Sequence, residues 1–198
     1  MHHDAAMNER SEADGSPDPD GSADPADEIA DHGPTLLSQP KIADRVYEMG
    51  RQITEDYRGR EPLLVGLLKG AFVFMSDLAR AISLPVDMDF MAVSSYGDAT
   101  ESSGVVRILK DLDEDIAGRD VIIVEDIIDS GLTLQYVRSL LLARAPASLS
   151  VAALLKRADA AFDDVDYVGF EIGDEFVVGY GLDAGQRYRN LPFIASLG

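Results

Sequence analysis

The chain contains no cysteine, which excludes disulfides and thiolate chemistry. Its three histidines, His2, His3 and His32, all fall within the first 33 residues. The body from Pro34 onward therefore cannot supply a Ser-His-Asp triad, a Cys-His pair or a His/Cys zinc site. Acid–base work there must come from Asp, Glu, Lys, Tyr or a bound ligand. No apolar run approaches the ~18–20 residues of a membrane span. Nor does an apolar stretch follow a basic start, as a signal peptide would require. These absences fit a cytoplasmic protein. Lysine is scarce as well, with only Lys41, Lys69, Lys110 and Lys156.

Acidic residues are abundant. Asp and Glu total 36 against 17 Lys and Arg, a net charge of −19. Residues 1–33 hold ten of those acids and one base, Arg10, so they carry −9 and the remainder −10. An organism-wide acidic bias, as in adaptation to salt, produces such a surface, which disfavours non-specific binding to nucleic acid or an anionic membrane. The first 33 residues are rich in Asp, Ala, Ser, Pro and Gly and read as a disordered tail. Residues 34–198 suffice for one domain with its own core.

Within that body, Ser38 is placed to cap a helix that opens near Pro40 and runs to about Tyr57. "PLLVGLL" (62–68) is short and continuously apolar, as expected of a strand buried on both faces. "AFVFMSDLARAI" (71–82) reads as a helix, "VDMDFMAVSS" (86–95) as a strand, and "YGDATESSGV" (96–105) as a mobile loop. Strands are expected at 106–112, 120–126, 148–155, 166–172 and 176–182, with a helix over 132–145. Strands alternating with helices predict an α/β fold around a mainly parallel sheet.

The stretch "VIIVEDIIDSGLT" (121–133) sets three carboxylates in and just after the second buried strand. In an open α/β sheet, ligands bind outside the carboxyl ends of the strands, where Glu125 and Asp126 would lie. Asp129, Ser130 and Gly131 form a turn, and Leu132 opens the next helix. Unpaired N–H groups there, with the Ser130 and Thr133 hydroxyls, suit a phosphate. Gly131 permits close approach of the backbone. Taken alone, a D-S-G turn reads as an ordinary helix cap. Adjacent carboxylates would repel a phosphate, however, unless ribose hydroxyls or Mg²⁺ lay between. The combination points to a ribose 5-phosphate site. No G-x-x-x-x-G-K-[ST] occurs, and "GYGLDAG" (179–185) does not match G-x-G-x-x-G.

"VIIVEDIIDSGLTL" resembles the phosphoribosyl diphosphate-binding motif of type I phosphoribosyltransferases. "LLKGAFVFMSDL" (67–78), "DFMAVSSYGDATESSGVVRILKDL" (89–112), "VDYVGFEIGDEFVVGYGLD" (165–183) and "RYRNLP" (187–192) extend the likeness over about 38–196. They narrow it to the bacterial type of hypoxanthine (hypoxanthine-guanine) phosphoribosyltransferase. The resemblance implies the type I phosphoribosyltransferase fold, a central mainly parallel sheet flanked by helices with a small hood. It implies purine salvage, joining phosphoribosyl diphosphate to a 6-oxopurine with Mg²⁺ as cofactor, in a homodimer or homotetramer.

Residue by residue, the resemblance implies that Glu125 and Asp126 hold the ribose hydroxyls near Mg²⁺. Asp129, Ser130, Gly131, Leu132 and Thr133 would bind the 5′-phosphate, with Asp129 accepting the N7 proton of the purine. Lys69, Gly70 and Arg189 would contact pyrophosphate, the first two in a loop where the family often has a non-proline cis peptide. Ser95 and Tyr96 would belong to a lid. Lys156 would donate to O6 of the purine, with Arg157 competing because the segment is about one residue shorter than the family pattern. Phe176 would stack on the ring, the Val177 backbone would read its edge, and Asp183 would ligate a second Mg²⁺. Two alternatives remain open from sequence. One is another base preference (xanthine, guanine only or adenine), against the last of which an O6-donating Lys156 argues. The other is an RNA-binding regulator on the same fold, which would need a basic face.

Overall fold

A computed structural model of the chain describes residues 32–96 and 105–197, with no side-chain detail at Ser95, Tyr96, Val105 and Val106. The expected tail therefore falls mostly outside the described residues, as do positions 97–104 of the expected loop. In chain order the elements are β1 (Thr35–Leu37), α1 (Gln39–Asp56), β2 (Leu63–Leu68), α2 (Ala71–Ala81), β3 (Asp87–Tyr96) and β4 (Val105–Lys110). There follow β5 (Asp120–Ile128), α3 (Leu132–Leu142), β6 (Ser148–Arg157), β7 (Tyr167–Ile172), β8 (Val177–Val178) and β9 (Ile194–Ser196).

The two most apolar strands lie side by side. β2 pairs parallel to β5 with Leu63 opposite Val121 and Val65 opposite Ile123. They form the middle of a six-stranded sheet ordered β4-β3-β2-β5-β6-β7, parallel except for β4, which pairs antiparallel to β3. Helices cover both faces, so these strands bury both sets of side chains. Leu64, Ile122 and Val124 pack with Ile42, Met49, Phe74 and Leu78 of α1 and α2. Val65, Val121 and Ile123 pack with Leu134, Val137 and Leu141 of α3. An alternating pattern would have exposed one face, and the unbroken apolar run is what this placement requires.

The strand order reverses between β2 and β5. Chain connections leave to opposite sides there, which opens a crevice at the carboxyl ends of the two strands. The mainly parallel α/β architecture thus agrees with the sequence expectation, and several details correct it. β5 continues past the acid pair to Ile128, and α3 ends at Leu142. The strand expected over 176–182 shrinks to Val177–Val178 because Gly179, Tyr180 and Gly181 all adopt positive φ, which breaks extended pairing. Ser38 occupies the position before α1 in extended geometry, but its hydroxyl makes no capping bond. A second sheet, β1-β9-β8, is antiparallel. Its outer strands are three and two residues long, too short for periodicity to reveal.

Candidate active site

At the end of β2 the Leu68–Lys69 peptide is cis, within the loop expected to hold one. Lys69 directs its ammonium to Gln186, with Nζ 3.2 Å from Oε1. Gly70 follows as α2 begins and faces the end of β5. A Cβ built on Gly70 would fall 1.5 Å from Oδ2 of Asp126, so only glycine leaves room for that carboxylate.

Glu125 and Asp126 have unusual electrostatics. Among the described residues, Oε2 of Glu125 is closed to solvent and finds no hydrogen-bond partner. Burial, reinforced by the adjacent Asp126 charge, raises the Glu125 carboxyl well above the ordinary range. Burial also pushes Asp126 up to about 6, although the Ile127 N–H and Arg189 work the other way. The Ile127 N–H donates to Oδ1 of Asp126 at 2.8 Å. Such a pair is short of donors and positive charge, and both ribose hydroxyls and a hard cation would supply what it lacks.

Asp183 and Arg189 approach from the segment after β8. Arg189 Nη2 lies 2.5 Å from Oδ1 of Asp183, and its Nη1 donates to the Gly181 carbonyl at 2.6 Å. Oδ2 of Asp183 accepts from the Gln186 N–H at 2.7 Å. Through Gln186, this ion pair connects to Lys69. Among the described residues no three acidic side chains converge as a ready metal cage.

Past β5 the chain turns into α3. Gly131 has φ 79° and precedes the helix, which no side chain caps. The Leu132 N–H has only a long 3.5 Å contact to Ser130 Oγ. The first-turn N–H groups of an uncapped helix, those of Leu132 and Thr133 among them, are suited to an anion. Asp129 is not the cap, contrary to the plainest reading of the turn. Its side chain is 73% exposed and pairs with Arg157, whose Nε lies 2.6 Å from Oδ1.

Lys156 and Arg157 end β6 and reach different partners. Lys156 Nζ bonds Oδ1 of Asp163 at 2.7 Å. Arg157 reaches Asp129 and also donates through Nη1 to the carbonyls of Gly173, at 2.6 Å, and Glu175, at 3.2 Å. Next in the chain comes Phe176, 54% exposed, and then buried Val177 at the start of β8. The structure therefore gathers Arg157, Asp129 and the segment leading to Phe176, while Lys156 is committed to the β6–β7 link. Ser95 and Tyr96 end β3. The sequence offered no signal for Gln186, a neutral side chain without periodicity, nor for Phe162 beside Gly131.

The profile of the phosphoribosyl transferase domain family matches residues 32–184. A hypoxanthine-guanine phosphoribosyltransferase of Mycobacterium avium is 55% identical over 170 residues, covering 82% of this chain and 84% of that protein. A hypoxanthine phosphoribosyltransferase of Salmonella typhimurium is 52% identical over 166 residues, covering 82% and 93%. The crystal structure of a hypoxanthine phosphoribosyltransferase from Staphylococcus aureus superposes with a TM-score of 0.83 at 44% identity, covering 86% of this chain and 94% of that one. No described helix is long and apolar enough to cross a membrane. The chain belongs to the phosphoribosyl transferase family, in its hypoxanthine phosphoribosyltransferase branch.

Proposed function

We propose that the protein transfers the 5-phosphoribosyl group from phosphoribosyl diphosphate to hypoxanthine, and to guanine, giving IMP or GMP and pyrophosphate. The observation that carries this reading is the half-buried acid pair Glu125–Asp126, with Oε2 of Glu125 closed off and lacking a donor, beside an uncapped helix start at Gly131. A sugar diol and its 5′-phosphate satisfy both at once. Relatives that are half identical over most of this chain and bear these enzyme names support the same substrates.

In this reading the chain divides the work. The N–H groups of Gly131, Leu132 and Thr133, with the Ser130 and Thr133 hydroxyls, hold the 5′-phosphate. Glu125 and Asp126 accept from the ribose hydroxyls. Lys69, Gly70 and Arg189 receive the pyrophosphate, whose negative charge grows as its bond to C1 of the ribose breaks. The lone pair of purine N9 forms the new bond to C1, and the N7 proton passes to the Asp129 carboxylate. Arg157 holds one Asp129 oxygen, which leaves the other free to accept that proton. Of the two β6 cations we assign Arg157 to the purine side, because it faces Asp129 and the approach to Phe176. Phe176 stacks on the ring and the Val177 backbone reads its edge. Glu125 and Asp126 would stand beside one Mg²⁺, and Asp183 would hold a second. When bound, Mg²⁺ supplies positive charge to the diphosphate and ribose oxygens. Ser95 and Tyr96 close over the site and exclude water. Residues 34–198, after the tail of residues 1–33, form the catalytic domain, assembled as a homodimer or homotetramer in the cytoplasm.

The test is turnover with phosphoribosyl diphosphate, Mg²⁺ and each of hypoxanthine, guanine, xanthine and adenine, with products separated by chromatography. IMP and GMP formation is expected. Adenine as the best substrate would overturn the base assignment. No turnover with any base would favour the RNA-binding regulator, against which a body of net charge −10 with four lysines weighs.

A further inference from the structure

The two arms assigned above to pyrophosphate meet at one glycine. Gly181 has φ 100°, and a Cβ built on it would fall 2.2 Å from the Gly70 carbonyl oxygen. The Lys69–Gly70 loop therefore rests on the Gly181 backbone, with no space for a side chain between them. The same residue aims Arg189. Its carbonyl accepts from Nη1 of Arg189 at 2.6 Å, and its N–H donates to the Arg189 carbonyl at 3.0 Å. A shift of Gly181 thus moves the Gly70 loop and the Arg189 guanidinium together.

Tyr180, the residue before it, ties this joint down. Its φ of 51° is uncommon for a bulky side chain and persists only where the surroundings enforce it. The ring is buried, and its hydroxyl crosses to α2, where it donates to Oδ2 of Asp77 at 2.5 Å. Burial and the Asp77 carboxylate raise the phenol well above its ordinary range, so it stays a donor. The Tyr180 N–H donates to the Leu191 carbonyl at 2.8 Å, just past Arg189. Among the described residues, Tyr180 to Asp77 is the one side-chain hydrogen bond between α2 and the segment 179–191. Groups that meet growing negative charge work best when they are already aimed. We propose that Tyr180 and Asp77 are positioning residues for the pyrophosphate cradle, holding Gly181 so that the Lys69–Gly70 loop and Arg189 face one diphosphate. This rests on the reading of Lys69, Gly70 and Arg189 as pyrophosphate contacts.

The full-length enzyme tests it ligand by ligand. Tyr180→Phe removes the hydroxyl and keeps the ring. It should raise KM for phosphoribosyl diphosphate and the inhibition constant of pyrophosphate by roughly five- to tenfold, since small misplacements of binding groups are costly. Ribose 5-phosphate binding and KM for hypoxanthine, which do not use these arms, should stay nearly unchanged. Asp77→Ala should match it, and the double variant should lose no more than either, because both remove one bond. Asp77→Asn keeps an acceptor oxygen for the phenol and should stay close to the parent. Should Tyr180→Phe fail to fold, the two Asp77 variants carry the same comparison. Equal losses for all ligands, or a lower unfolding temperature with every ligand constant unmoved, would reduce the pair to structural support and overturn the proposal. A loss with Asp77→Asn as large as with Asp77→Ala would place the effect in the Asp77–Arg80 pair and overturn it too. Lys69→Met separates the two levels. If it weakens pyrophosphate binding while Tyr180→Phe does not, the positioning role is wrong and the pyrophosphate reading stands. If neither weakens it, the pyrophosphate reading fails and the proposal with it.

Discussion

Gly70 and Asp126 touch so closely that a Cβ on the glycine would lie 1.5 Å from the Asp126 carboxylate. The Gly70 backbone, at φ −63° and ψ −41°, would accept any residue, so the constraint comes from the aspartate and not from the chain. Gly70→Ala should therefore lower stability by ~1–3 kcal/mol, as overpacking does, and displace the Asp126 carboxylate. A double-mutant cycle with Asp126→Ala, read by thermal unfolding, should give a clear coupling energy. Additive effects would mean that the two residues do not constrain each other.

Asp129 is exposed and its loss should leave the fold intact. Asp129→Asn keeps the size and removes the proposed proton acceptor, so kcat should fall by ~10²–10⁴ with little change in unfolding temperature. Near-normal turnover would remove Asp129 from the chemistry.

Arg157 spans a carboxylate and two carbonyls from one planar group, a reach that lysine lacks. Arg157→Lys should lose one or more charge-assisted bonds, ~1–2 kcal/mol, seen as roughly a tenfold rise in KM for hypoxanthine. KM for phosphoribosyl diphosphate should change much less. The reverse split would place Arg157 on the sugar side.

Burial holds the Asp126 carboxyl up at about 6 in the ligand-free protein, against about 3.9 unfolded. A folded value above the unfolded one gives stability that is complete below about 3.9 and lost as pH rises through about 6. Asp126→Asn should accordingly be more stable than the parent at pH 7.5, with the gap closing towards pH 4. Unfolding temperatures of both proteins across that range measure it, and a gap independent of pH would refute the burial argument.

How much could be read beforehand depended on the range of each interaction. β2 and β5 were legible because burial on both faces leaves an unbroken apolar run, and α1 because Ile42, Val46, Met49 and Ile53 keep one helical face. The acids of "EDIID" stood out against that apolar background. Arg157 and Gln186 were less legible, since their importance lies in partners 28 and 117 residues away. Nor could composition reveal that Lys156 and Arg157, adjacent cations at a strand end, would part to different neighbours. The short strand β8 was overextended in the sequence reading because positive φ at Tyr180 has no signature in its side chain.

The antiparallel sheet β1-β9-β8 joins Thr35 to Ala195, and the Gly33 N–H donates to the Ser196 carbonyl at 2.8 Å. During synthesis β9 leaves the ribosome after every other described strand and helix, and both β1 and β8 wait for it. The parallel sheet, with the turn proposed for the 5′-phosphate, can form while the chain is still growing. The Phe176–Val177 wall cannot be completed until this most distant pairing closes. A chain stopped short of Ile194 would then retain the turn before α3 and lack a finished Phe176–Val177 wall.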